Sequence, residues 1–276
     1  MEAADHWISG GVGGLARRNL NAYERIFCLN GMIKALYRFG METRIRFQLH
    51  SHRNAREIIA AVPELSKLWL EIESSIDAID DSLLLDDYRS RARSSLTTGS
   101  AAPKSLSHSI NGLLDSYLVA KGWEPQSALF SEEPYTSRNE KNWRLDFSKS
   151  ASLGEESLRR SNTSHKRTGI AVEVAFNHGE AIAWNLLKPV MASELNHVAK
   201  ATDIGEGVGV LICATASLKK QGGFDGAVGE FEKVLRYLDP MRNQLSTPTL
   251  VVGLEAPDSF KLVKKKGGGP SEIEFL

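Results

Sequence analysis

Cysteine is scarce: the 276 residues hold two, Cys28 and Cys213, far apart and without a CxxC partner. That argues against a disulfide framework and a zinc site and fits a reducing cytosol. Net charge is missing too, because 34 Lys and Arg balance 34 Asp and Glu. Such a chain cannot coat a polyanion by overall charge, so any affinity for nucleic acid needs a segregated basic face. No apolar run approaches the roughly 20 residues of a membrane span. The opening Met1-Glu2-Ala3-Ala4-Asp5-His6 has no basic segment followed by an apolar one, so no secretory leader is expected. Internal repeats and coiled-coil heptads are absent. What remains is ordinary globular composition, 42% hydrophobic and 25% charged, long enough for one large domain or two small ones.

The informative stretch runs from 143 to 178. Ile170-Ala171-Val172-Glu173-Val174-Ala175-Phe176 is a β-type run carrying one carboxylate. Alternation places Glu173 and Ala175 on one face and Val172 and Val174 on the other. Upstream, Trp143-Arg144-Leu145-Asp146-Phe147 is a second β-type run, again with one acid. Two strands that each present a carboxylate can hold a hard divalent cation, which fills its remaining positions with water and phosphate oxygens. A basic run, His165-Lys166-Arg167, precedes the second strand. Acids for a metal beside cations for a phosphate backbone is phosphodiester nuclease chemistry, although two acids on two strands also describe a plain structural pair.

Leu145-Asp146-Phe147-Ser148-Lys149, then Val172-Glu173-Val174-Ala175-Phe176, then Ser193-Glu194-Leu195-Asn196-His197 resembles the BglII/BstYI family of type II restriction endonucleases, within the PD-(D/E)xK nuclease superfamily. The resemblance covers roughly residues 143–254. It implies a mixed central β-sheet flanked by helices, an α/β core with a helical N-terminal part. The implied division is a mainly helical region over 1–125 and a catalytic core over 126–276, or one compact domain. It also implies a bacterial cytoplasmic homodimer of a restriction–modification system. The expected reaction is Mg²⁺-dependent cleavage of double-stranded DNA at a palindromic site, leaving 5′-phosphate ends, with Mn²⁺ able to substitute. Asp146 and Glu173 would be catalytic and would bind the metal, joined by the backbone of Val174 or Ala175 and by Glu133 from upstream. Two departures stand out. Asp146 lies 27 residues before Glu173, a wide gap that reads as an inserted loop over 148–167. The position two beyond Glu173, where the superfamily has Lys and this family tolerates Gln, is Ala175; Lys166 is the first expected substitute, with Asn177 and His178 as alternatives. A noncleaving DNA-binding relative and a nuclease for structured or damaged DNA stay open as alternatives.

Elsewhere the glycines over 9–14 lack the Gly-Lys-Ser/Thr ending of a phosphate loop. Helices are expected over about 15–37, 55–80 (kinked or split at Pro63), 110–121, 181–201 and 227–238. Strands are expected over 44–50, 208–214 and 250–254. His50 and His52 read as surface or capping residues, and Glu194 and His197 as helix-surface residues. Arg89, Arg91 and Arg93 precede a polar stretch over 94–104 that reads as a loop, either a solvated linker or a segment that orders on DNA with these arginines on phosphates or base edges. Arg138, Lys141, Lys166 and Arg167 suit phosphate contacts, with Asn177 and His178 just past the second strand. Over 217–226 the sequence reads as a loop in which Lys219, Lys220, Gln221 and Asp225 carry groups for base edges or phosphates. The lysines over 261–266 read as a basic tail.

Overall fold

The computed structural model describes residues 44–135, 137, 141–160, 166–176, 179–194, 199–265 and 269–276. The helix expected over 15–37 lies outside them, as do Arg138, Asn177, His178, His197 and the side chain of Lys141.

Eight strands and eight α-helices are described. The strands are β1 (Phe47–His52), β2 (Glu124–Ala128), β3 (Arg144–Ser152), β4 (Arg167–Ala175), β5 (Val208–Ala214), β6 (Thr249–Leu254), β7 (Phe260–Val263) and β8 (Glu272–Phe275). The helices are α1 (Ala55–Ala61), α2 (Pro63–Asp77), α3 (Asp81–Thr98), α4 (Ser107–Ala120), α5 (Glu155–Arg160), α6 (Ile182–Glu194), α7 (Ala216–Gln221) and α8 (Phe231–Leu238). None of the described helices is long and apolar enough to cross a membrane.

Six strands form one mixed sheet in the order β1-β6-β5-β4-β3-β2. β4, β5 and β6 are parallel, while β1 and the β2-β3-β4 meander are antiparallel. The sheet therefore draws strands from both sides of residue 125. All of β5 and β6 is buried, which is why they read as continuous apolar runs rather than as alternations. Ile170, Val172 and Val174 of β4 share a core with Leu65, Leu68, Ile72 and Ile76 of α2. Ala175 sits in a second core with Ile182 and Leu186 of α6 and Phe231 and Val234 of α8. The sheet is covered on both faces, as an α/β core requires.

The periodicity over 55–80 resolves into two helices. Val62 is extended, at φ −107° and ψ 109°, and Pro63 opens α2. Proline pushes its predecessor out of the helical region and is tolerated at a first helical position. The expected loop over 94–104 is helical as far as Thr98. Ser95, Thr97 and Thr98 turn their hydroxyls onto carbonyls of the same helix, so these side chains do not pull the backbone into a turn. Among its described residues, the expected insertion over 148–167 is mostly regular as well. β3 and β4 stay paired out to Ser152↔Arg167, with α5 in the connection. Lys149 anchors this hairpin, its Nζ 2.7 Å from Glu71 Oε2. Residues 261–263 of the supposed basic tail belong to a second sheet, β7 paired with β8, in which Lys261 meets Glu274 at 2.7 Å, and Lys266 lies outside the described residues. His52 is buried, its Nε2 3.0 Å from the Leu245 carbonyl.

Candidate active site at the fork between two strands

Pairing of β3 with β4 runs inward to Phe147↔Val172 and stops there. The next residue on each strand is an acid, Asp146 on β3 and Glu173 on β4. In place of a ladder bond, the backbone N–H of Val174 donates to Asp146 Oδ2 at 2.7 Å. The other carboxylate oxygen, Oδ1, accepts from Gln126 Nε2 at 3.1 Å. Gln126 adopts φ +49°, which is unusual for a residue with a side chain. Arg144 holds it, donating from Nη1 to its carbonyl at 2.8 Å. The Asp146 carboxylate is therefore fixed by two donors at the mouth of the fork.

Glu173 is 1% exposed. Its Oε2 is ion-paired with the ammonium of Lys188, and its Oε1 has no hydrogen-bond partner. Burial is the largest influence on the acid and raises its pKa to about 8, with the charge of Asp146 adding to the rise. Lys188 and the Asp146 backbone N–H oppose that rise without cancelling it. Lys188 is itself 7% exposed and also donates to the Arg144 carbonyl at 3.1 Å. It reaches the fork because α6 lies tight against the sheet. A Cβ on Gly209 of β5 would come within 2.8 Å of the Cβ of Pro189. The bare glycine lets the proline next to Lys188 rest on the strand.

On the other side of the fork, Asp146 and Val174 line a cleft of about 340 Å³ with Gln126, Arg91 of α3, and His108, Asn111 and Asp115 of α4. Arg91 is paired with Asp87 at 2.6 Å, and its guanidinium crosses Gly112, where any Cβ would collide with it.

Of the residues singled out in the sequence, the fold brings together Asp146, Glu173, Val174 and Ala175. The Ala175 side chain is buried among apolar neighbours. Glu133 is exposed and does not join the pair, and the described residues contain no cluster of three or more His, Cys, Asp or Glu placed to hold a metal. Lys166 is exposed and precedes the far end of β4. It stands seven residues before Glu173, roughly 20 Å along an extended chain. Arg167 donates to Ser150 Oγ at 2.6 Å, also remote from the fork. Arg89 pairs with Asp86 at 3.7 Å, and Arg93 is exposed on α3. Lys219 and Lys220 lie on α7, not on a loop; Lys219 is paired with Glu230 at 2.9 Å and Lys220 is exposed. Gln221 ends that helix, and Asp225 accepts from the Ala227 N–H at 3.0 Å. Lys188 and Gln126 were not singled out. The signal for Lys188 is present: it is the one charged residue between Glu180 and Glu194, in a mostly apolar stretch.

A mixed sheet covered by helices on both faces, with antiparallel strands that part at two acids, defines the class of fold as α/β. The family model described as restriction endonuclease BglII/BglIII matches residues 47–254, most of the chain, and the chain belongs to that family of site-specific deoxyribonucleases. Two solved structures are similar at 15% identity over 84% of this chain. One is the restriction endonuclease BglII complexed with a DNA 16-mer, at TM-score 0.48 over 89% of that chain. The other is free BglII, at TM-score 0.39 over 100% of that chain. No curated protein matches in sequence.

Proposed function

We propose that this protein is a type II restriction endonuclease that, as a homodimer in a bacterial cytoplasm, cuts double-stranded DNA at a palindromic site in a Mg²⁺-dependent reaction. The observation that carries the reading is the fork: two carboxylates on parting strands, one of them with a buried oxygen that nothing satisfies. A buried carboxylate oxygen without a donor is costly, and a hard cation is the partner it suits. The donor set fits such an ion, with Asp146 and Glu173 as the carboxylates, a backbone carbonyl of Val174 or Ala175 beside them, and water for the rest. When bound, Mg²⁺ would lower the pKa of a water molecule and offset charge on the scissile phosphate.

The chain's own groups have separate tasks in this reading. Gln126 and the Val174 N–H keep Asp146 turned toward the mouth of the fork. Arg91 offers a guanidinium to a phosphate entering the cleft, while His108 and Asn111 offer hydrogen bonds beside it. Residues 126–276 hold the cutting residues, and residues 1–125 contribute packing, dimerisation or DNA contacts. Hydrolysis breaks the bond to the 3′ oxygen, leaving a 5′-phosphate and a 3′-hydroxyl. Lys220 and Arg93, both exposed, are candidates for contacts beyond the cleft.

The test is digestion of bacteriophage DNA by the purified protein in Mg²⁺, with EDTA as the control. Discrete fragments that disappear in EDTA are expected, and sequencing their ends gives the site and its symmetry. Smears would favour a nuclease for structured or damaged DNA. Ala175, with no polar group two residues past Glu173, favours a second reading, a DNA reader that does not cut. That reading requires site-selective binding with intact DNA.

A further inference from the structure

Lysine is an expensive residue to bury, and nothing about the stability of α6 calls for one at position 188. A buried ion pair seldom holds a fold together better than apolar side chains of the same volume. Apart from Lys188 and the neutral amide of Asn185, the buried residues of the helix are apolar, Ile182, Leu186, Pro189 and Ala192, and no other charge lies between Glu180 and Glu194. Yet Lys188 is 7% exposed, with its ammonium on Glu173 Oε2 and the Arg144 carbonyl. It touches β4 at one acid and β3 two residues from the other. Ala175, on the same face of β4 as Glu173, contributes no charge. Lys166 lies at the opposite end of the strand.

Phosphodiester hydrolysis creates a need that this ammonium meets. As a water oxygen bonds to phosphorus and the bond to the 3′ oxygen breaks, negative charge grows on the phosphoryl oxygens and on the leaving oxygen, which ends with one of the water's protons. A cation fixed beforehand in a site shielded from solvent stabilises that charge without reorganising. Resting on the reading of the fork as a cutting site, we propose that Lys188 supplies this fixed positive charge from helix α6, taking the part that no side chain on strand β4 can play. It remains an ammonium throughout and transfers no proton.

The test compares the parent with Lys188→Met, Lys188→Gln and the double variant Ala175→Lys/Lys188→Met, using the full chain. Lys188→Met removes the charge at similar volume, Lys188→Gln keeps a donor for Glu173 should the apolar variant fail to fold, and the double variant returns an ammonium from the strand. Three quantities are read: affinity for the cognate duplex in Ca²⁺, Mn²⁺ affinity by electron paramagnetic resonance, and the single-turnover cleavage rate in Mg²⁺. The single variants are expected to cleave roughly 100-fold more slowly, while duplex and Mn²⁺ affinities stay within about threefold of the parent. The double variant should recover about tenfold or more of the lost rate. A single variant that cuts within about threefold of the parent overturns the proposal, since the charge is then dispensable. Mn²⁺ affinity that falls in step with cleavage also overturns it, because Lys188 would then only hold the carboxylate in place. A parent that binds its site but cuts nothing overturns the endonuclease reading instead, a different outcome from a cutting parent with cutting variants.

Discussion

Replacing Glu173 with Gln should change how stability depends on pH, in a direction set by the burial of the acid. The native pKa is raised from an ordinary 4.5 to about 8, chiefly by burial. Between those two values the folded chain holds a proton that the unfolded chain has released. The acid therefore supports the fold fully below about pH 4.5, and that support is lost as pH rises through about 8. At about 1.36 kcal/mol per unit, the gap corresponds to a loss of order 3–5 kcal/mol by pH 9. Gln at this position stays neutral and resembles the protonated acid. Urea unfolding of both proteins in EDTA, at pH 5 and pH 9, reads the effect. The variant should match the parent at pH 5 and exceed it by a few kcal/mol at pH 9. Taking the difference between the two proteins removes the other titrating groups. An equal difference at both pH values would refute the reasoning, since the buried acid would then be ionised throughout.

Gly209→Ala places a Cβ 2.8 Å from Pro189 Cβ and should lift α6 from the sheet, costing about 1–3 kcal/mol in urea unfolding and slowing cleavage with it. Gly112→Ala should displace the Arg91 guanidinium from the cleft while adding a better helix former. DNA affinity should then fall about as far as in Arg91→Ala, whereas the melting temperature holds or rises. Tyr88→Phe removes a buried hydroxyl that bonds the Pro103 and Ser271 carbonyls at 3.0 and 2.9 Å, and should cost about 1–2 kcal/mol by thermal denaturation.

Where burial was one-sided or total over several residues, the sequence was legible. The apolar runs of β5 and β6 and the stripe on α2 could be read directly, and Pro63 marked the break before α2. Asp146 and Glu173 stood out for a related reason, each being a lone acid in an apolar run. Segments whose conformation depends on partners remote in sequence were not legible. Ser94 to Thr98, a local exception, reads as a loop by composition but continues helix α3, the hydroxyls of Ser95, Thr97 and Thr98 turned onto carbonyls of that helix. The lysines near 261–266 look like a tail until β8 supplies Glu272 and Glu274 opposite them. Lys166 is near Glu173 in sequence, but such nearness misleads along an extended strand, where each residue adds about 3.3 Å. Lys188 arrives at the fork through the packing of α6 on Gly209, a contact that no spacing along the chain encodes.

The most direct measurement is cleavage and binding of one cognate duplex by the parent, Asp146→Asn and Glu173→Ala, with binding measured in Ca²⁺ and cleavage in Mg²⁺. Site-specific binding kept within about tenfold, with cleavage slowed by roughly 1,000-fold or more in both variants, is the expected result. Cleavage at the parental rate by either variant would place the cutting site elsewhere in the molecule and contradict the assignment of the fork.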